Sequence, residues 1–410
     1  MRAQTVGTVA AGLVVGWLAY AGREWAAVRG SPGGRDYASY HAAVQVAVAG
    51  GDPYDTPALT AALRADGARK AAVHPYFYPP PFLLAALWSW PLSLHGAYQA
   101  WFWMCELSGL AAITVLTRRF GVPLALAVAV AALFAPFHES ARMGQANHIV
   151  LLLLALGVAR GVPTAQAGLL VGAAAMMKMS PALLLFGYGA LGRWRPVLAA
   201  VGTAIGLTLL ALPLVGPLAQ WRFYTEVLPS FSSGAYHGLT VPIRIAFNHS
   251  IPDAWLALWP GPDAHTLSAS ARAAAGLTTF GLLGAVLTRG RRAAGHPLAE
   301  ANLLGALVVL FTLTPVYAYE HHLAIVVLPV LVAAAALAAR PGARAGWVAW
   351  GSLTAILALP LEALRALAAA LGPAAAVAHE LKFAALLGLL ALCAALAAPP
   401  AAPARTEATP

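Results

Sequence analysis

Apolar and polar positions fall into long blocks along this chain rather than into the alternation of strands. Apolar runs occupy roughly 80–117, 121–137, 147–160, 164–177, 181–192 and 196–216, then 271–288, 299–316, 321–338, 345–360 and 378–397. An earlier run, Thr5 to Ala21, follows Arg2. Runs of this kind predict membrane-crossing helices at about 20 residues each, roughly 12 in all. Ala19-Tyr20-Ala21 resembles a small-x-small cleavage site. A retained first span over 1–22 is the favoured reading, because the rest of the chain is itself membrane-embedded.

Two polar stretches interrupt the pattern. The first, 23–79, holds Gly33-Gly34-Arg35-Asp36, Gly50-Gly51-Asp52-Pro53-Tyr54-Asp55 and a charged patch through Lys70. Within it, 37–49 reads as a helix stopped by Gly50 and lying on the membrane surface. The second, 218–270, contains Trp221, Phe231, Tyr236, Asn248 and two Pro-Asp pairs. One transmembrane domain over 1–398 follows, with helices at 80–217 and 271–398 and a disordered cytoplasmic tail at 399–410. Arginine clusters at Arg118-Arg119, Arg193/Arg195, Arg289/Arg291/Arg292 and Arg340/Arg344 sit in short connections and orient the helices with those ends inside. That orientation requires 80–117 to cross once, with a re-entrant first half beginning at Pro79-Pro80-Pro81; the alternative is two short crossings, which put Arg118-Arg119 outside, and the charge rule favours the first.

Composition sharpens this reading. Of 410 residues, 60% are hydrophobic and 10% charged, against about 25% charged in ordinary soluble proteins. Mean hydropathy is +0.73. A cytosolic enzyme, a nucleic-acid-binding module and a disordered tail protein are excluded, and an all-α polytopic membrane protein remains. The net charge of +10 is then mostly arginine anchoring helix ends, not a footprint for nucleic acid. Cys105 and Cys393 lie in apolar runs, so no disulfide framework is expected. All six aspartates, Asp36, Asp52, Asp55, Asp66, Asp253 and Asp263, fall in the two polar loops. Both loops are expected on the extracytoplasmic side.

Candidate chemistry gathers there and at the ends of the apolar runs. Asp36 reads either as the cap of the 37–49 helix or as a partly desolvated general base. Asp52 and Asp55 read as turn formers. Tyr76-Phe77-Tyr78 before the three prolines is either an interfacial belt or a wall for a lipid chain or sugar ring. Arg142, Gln145, Asn147 and His148 cluster between two apolar runs, where polar groups need partners or water. Lys178, one of three lysines, sits among apolar residues before Pro181. It is either a snorkelling helix end or a cation for a phosphate. Arg244, Asn248 and Ser250 suit a phosphate or sugar hydroxyls, or an ordinary loop. His321 and His322 follow Glu320. Neighbouring helical residues point about 100° apart, so a proton carrier or phosphate ligand is favoured over a metal pair.

In order, these pieces are Asp36-Tyr37-x-x-Tyr40, Gly50-Gly51-Asp52-Pro53-Tyr54, Tyr78-Pro79-Pro80-Pro81-Phe82, Gly144-Gln145-x-Asn147, Lys178-x-x-Pro181, Asn248-x-Ser250 and His321-His322 with Pro329. The series resembles the bacterial polyprenol-phosphate-mannose-dependent mannosyltransferases of glycosyltransferase family 87, from about residue 30 to 335. The resemblance implies a GT-C fold, an extracytoplasmic active site at the bacterial plasma membrane and a polyprenyl-phosphate sugar donor. It also implies inverting transfer to a glycolipid or glycan acceptor, with Asp36 at the position of the base. Lys178, Arg142, Gln145, Asn147, Arg244, Asn248, His321, His322, Tyr78 and Tyr40 are then candidates for the donor phosphate and substrate. No cofactor is called for, and help from a divalent cation stays open. A single displacement needs one carboxylate base rather than a pair. The chain departs from the family at His249, where Gln is common, and at Met176-Met177-Lys178-Met179. Related enzymes transfer arabinofuranose from a lipid phosphate, so that donor is the alternative sugar. A transporter or flippase of a lipid-linked sugar would call for inverted repeats and charges near the midplane, and no repeat is seen. A surface-polysaccharide polymerase or ligase would share the donor type and differ in its product.

Overall fold

The computed structural model describes residues 17–18, 21–31, 34–67, 73–159, 164–234 and 241–399. Most of the expected first span at Thr5 to Ala21 and the expected tail from 400 onward lie outside them. The described residues form helices, turns and irregular chain, without a strand.

The helices we number are α1 (Tyr37–Val48), α2 (Thr56–Ala65), α3 (Leu94–Phe120), α4 (Leu124–Leu133), α5 (Ala135–Met143), α6 (Asn147–Ala159), α7 (Ala165–Met177) and α8 (Trp194–Val215). They continue as α9 (Ile251–Leu258), α10 (Ala269–Leu287), α11 (Pro297–Leu313), α12 (Val327–Ala338), α13 (Arg344–Ala358), α14 (Leu361–Leu371) and α15 (Ala375–Leu396). Side chains serve the loose backbone groups at several ends. Ser93 opens α3 by accepting from Gly96 N–H at 3.3 Å, and Ser268 opens α10 by accepting from Ala271 N–H at 3.1 Å. Asp55 caps α2, and Asp52 accepts from Tyr54 N–H at 2.9 Å, as turn formers should. Asp52 also pairs with Arg222, a bond between the two polar loops that neither loop announces.

Among the described residues, five helices are long and apolar enough to cross a membrane, including α3, α8 and Glu320–Ala338; a sixth counts if α4 and α5 form one span bent by 54°. At that bend Phe134 leaves the helical region (φ −79°, ψ 88°) and Pro136 starts the next helix. Helix length among the described residues thus supports five or six spans of the roughly 12 expected. At 1.5 Å per residue, α6 and α7 reach about 20 Å, short of a hydrocarbon core of about 30 Å. Segment 80–117 resolves into the short turns Phe82–Ala86 and Leu87–Ser89, then one long helix, α3.

Burial sorts the helices. In Glu320–Ala338, 83% of the apolar 18-residue stretch is buried inside the protein. α8 shows its apolar side outward, with Leu198 70% exposed, as a lipid-facing helix does. One expectation is overturned. α1 does not lie on a surface, because ten of its twelve residues are buried inside the protein. The second polar loop also contains helical segments, Pro217–Arg222, Phe223–Val227, Leu228–Ser232 and α9.

Without a hydrophobic driving force between lipid-embedded helices, close approach depends on small residues. Gly168 and Gly172, four apart on α7, let α8 pack directly on it. A Cβ on Gly172 would lie 2.6 Å from the Ala200 carbonyl oxygen, and one on Gly168 would collide with that of Pro196. Gly172→Val is therefore expected to cost about 1–3 kcal/mol, read as a lower thermal unfolding midpoint in detergent. An unchanged midpoint would show that this helix pair does not depend on close contact.

Candidate functional site

The site is built on one tight turn. α5 ends at Met143, and Gly144 takes φ +75°, where a Cβ would meet that of Tyr37 at 2.6 Å. Three side chains of α3 hold the turn. Tyr98 Oη donates to the Arg142 carbonyl. Trp101 Nε1 donates to the Gly144 carbonyl at 2.8 Å, and Cys105 Sγ to that of Gln145 at 3.4 Å. The turn presents Gln145 and Asn147 to different partners.

Gln145 reaches Asp36. Its Nε2 donates to Asp36 Oδ2 at 2.9 Å, while its Oε1 accepts from Tyr78 at 2.9 Å and Tyr40 at 3.2 Å. Burial raises the pKa of both phenols, so each stays protonated and donates. Two donors on Oε1 fix the amide orientation and turn its N–H group toward the carboxylate. Tyr40 is wedged edge-on between Tyr78 and Phe82, each 4.8 Å away between ring centres. Asp36 starts α1 but makes no side-chain cap bond to it. Of the two readings of Asp36, the capping one is therefore not realised.

Asn147 reaches the other way. Its Oδ1 accepts from Lys178 Nζ at 2.6 Å, and its Nδ2 donates to Ser140 Oγ at 3.0 Å and to the His321 carbonyl at 2.7 Å. Lys178 sits where α7 stops and the Ser180–Leu183 turn begins. His322 Nδ1 accepts from Tyr319 N–H at 3.1 Å. A neutral His322 ring then carries its proton on Nε2. The charges of Asp36 and Lys178 act on each other and on His321.

Two adjoining cavities receive these groups. One, of about 250 Å³, is lined by Asp36, Tyr40, Tyr78, Gln145, His321 and His322 among others. The other, of about 420 Å³, is lined by Lys178, Ser180, Thr314 and His322 together with apolar Leu183, Leu228, Phe311 and Ile325. Phe77, Tyr78, Phe231, Tyr317 and His322 border both. Asn147 lies behind Lys178, buried.

Three sequence candidates stand elsewhere. Arg142 pairs with Glu139 and, at 3.5 Å, with Glu24. Arg244 is exposed and pairs with Asp253 at 2.7 Å and Glu380 at 3.3 Å. Asn248 is buried, donating to the Ile243 and Val316 carbonyls and accepting from Ala318 N–H. None of the three lines either cavity. The pattern reading also passed over Lys382, whose side chain is 0% exposed and bonded to Glu320. A lysine inside an apolar run marked Lys178, and the same signal was present at Lys382. Among the described residues no group of three His, Cys, Asp or Glu side chains is arranged to hold a metal ion.

An all-helical membrane protein that brings one carboxylate and one lysine to neighbouring chambers has the parts of a membrane-embedded transferase. The model of glycosyltransferase family 87 matches residues 76–315, more than half of the chain, and the chain belongs to that family. It is a membrane glycosyltransferase. No curated protein and no solved structure matches the chain. The matched region contains Tyr78, Gln145, Asn147 and Lys178, whereas Asp36, Tyr40, His321 and His322 lie outside it.

Because both phenols donate to the same Gln145 oxygen, partial redundancy is expected. Tyr40→Phe and Tyr78→Phe are each expected to lower glycosyl transfer by less than about tenfold. The double variant should fall below the product of the singles, because contacting residues couple by about 0.5–3 kcal/mol. Transfer assays on the four proteins of this cycle check it, and simple multiplicativity would mean that the two phenols act independently of each other.

Proposed function

We propose that the protein transfers mannose from polyprenyl-phosphate mannose to a hydroxyl of a lipid-linked or cell-envelope glycan, with inversion, on the extracytoplasmic face of the bacterial plasma membrane. The observation that carries this reading is the meeting of Asp36 and Lys178 at adjoining cavities, one lined by tyrosines and histidines and the other largely apolar. The family resemblance of the motifs supplies the sugar and the lipid.

In this reading the larger cavity takes the donor. Its apolar residues suit the first isoprene units, and Lys178 with the Nε2–H of His322 meets the phosphate. The smaller cavity takes the acceptor sugar against Tyr78 and Tyr40. Asp36, held through Oδ2 by Gln145, accepts the acceptor's hydroxyl proton as that oxygen attacks the anomeric carbon. The bond from that carbon to the phosphate oxygen breaks, and polyprenyl phosphate departs with the electron pair. Its charge is met by groups already in place, which costs no reorganisation at the moment of reaction. Attack from the face opposite the phosphate inverts the anomeric centre, and one carboxylate suffices.

Incubation of membranes with labelled polyprenyl-phosphate mannose tests the reading. The wild type should move label into a glycan with release of polyprenyl phosphate. Asp36→Asn should reduce turnover by about 10²–10⁴-fold with an unchanged unfolding midpoint. Lys178→Met should raise the donor KM. Release of polyprenyl phosphate with no acceptor gaining mass counts against transfer, and wild-type turnover in Asp36→Asn removes Asp36 as base.

A further inference from the structure

We infer that Lys382, acting with Glu320 and His249, is a positioning residue for the His321–His322 turn and hence for the donor phosphate; this rests on the functional reading above. Glu320 Oε2 accepts from Lys382 Nζ at 2.5 Å, and Oε1 meets His249 Nε2 at 3.0 Å. Lys382 Nζ also donates to the Leu359 carbonyl at 2.6 Å. The side chains of Lys382 and His249 are 0% exposed and that of Glu320 is 7% exposed. None of the three lines either cavity.

Stability alone does not account for such a cluster. Removing two charges from water costs several kcal/mol per ion, and well-packed apolar residues of equal volume often hold a fold at least as well. What the charges add is direction. Glu320, His321 and His322 are consecutive in the 3₁₀ stretch Glu320–Val326, where successive side chains point about 120° apart. With Glu320 anchored to Lys382 and His249, the two histidines are left to line the cavities. The neighbouring chain is held from the same side. His249 N–H donates to the Ala318 carbonyl at 3.0 Å, Ser250 Oγ to that of Val316 at 3.0 Å, and Asn248 Oδ1 accepts from Ala318 N–H at 2.9 Å. From the turn the constraint passes onward, because the His321 carbonyl accepts from Asn147, and Asn147 accepts from Lys178. A roll of the turn therefore displaces both phosphate-facing groups, His322 and Lys178.

The same geometry gives the last helices a task. Lys382 is on α15, and Leu359 stands between α13 and α14. Lys382, Leu359 and Glu320 lie beyond the family-matched region, which ends at residue 315, whereas His249 lies inside it. The C-terminal helices thus contribute to the donor site without a residue in it.

Full-length wild type, Lys382→Met, Lys382→Arg, Glu320→Gln and the Glu320→Gln/Lys382→Met double variant are compared in detergent. Affinity for polyprenyl phosphate, the unfolding midpoint and the donor KM and kcat are measured. Lys382→Met should lower the midpoint, because it leaves Glu320 buried beside His249 alone. It should also weaken polyprenyl phosphate binding and raise donor KM by about tenfold to a hundredfold, the scale of a displacement of about 1 Å. The double variant removes both charges and should recover most of the midpoint but not the affinity. Lys382→Arg keeps the charge and should bind more tightly than Lys382→Met. If the double variant recovers wild-type affinity as well, or if folded Lys382→Met binds as the wild type does, the positioning role is wrong. If Lys382→Met does not fold, the double variant and Lys382→Arg decide in the same way. Wild type that fails to bind polyprenyl phosphate overturns the functional reading instead.

Discussion

The turn from Gly144 to Asn147 is the constraint on which the site depends. Its left-handed glycine, pressed against Tyr37, lets two amide side chains leave one short stretch toward opposite partners. Gln145 takes the carboxylate and Asn147 takes the lysine. The two groups come from segments more than 140 residues apart in sequence, and neither touches the other through a side chain of its own. An amide is suited to this because it carries a donor end and an acceptor end at fixed separation. With two phenols on one end of Gln145, the other end has only one use.

Apolar surroundings make these bonds matter. A polar group in a water-poor interior loses hydration and must find a partner. Asn147 meets that demand with three partners and Gln145 with three. The chain breaks its helices to create the opening. Phe134 and Pro136 bend the α4–α5 pair, the Gly144 turn separates α5 from α6, and Lys178 ends α7. Backbone at those breaks is tolerated where it is buried in protein or lines a cavity.

The scarce charges divide by depth and partner. Arginines such as Arg193 and Arg340 sit at helix ends, bonded to Glu300 and to backbone carbonyls. Asp52–Arg222 ties the two polar loops together, and Arg244–Glu380 ties the second loop to α15. Asp36 and Lys178 face cavities. Lys382 and Glu320, buried and paired, lie behind the wall of one of them. A positive total is therefore compatible with a site in which only a few cations face a ligand.

Block hydrophobicity was enough to establish a helical membrane protein, because about 20 consecutive apolar residues have few other stable uses. Ordered motifs were enough to point to the family, Gln145 and Lys178 were marked by polarity in apolar company, and Tyr78 by its place in an aromatic run before three prolines. The number of crossings was not legible, because a break between two apolar runs looks alike whether it faces water or a cavity. Nor was the fate of Arg244 and Asn248, since a cation or an amide in a loop has the same letter whether it binds a ligand or a neighbouring carbonyl. Only the tertiary structure decided that α1 is buried, that Asp36 is held by Gln145 rather than capping its helix, and that Lys382 lies beneath His321 and His322. Each of these depends on which distant segment supplies the partner, and hydrogen bonding at 3 Å is a property of packing, not of spacing along the chain.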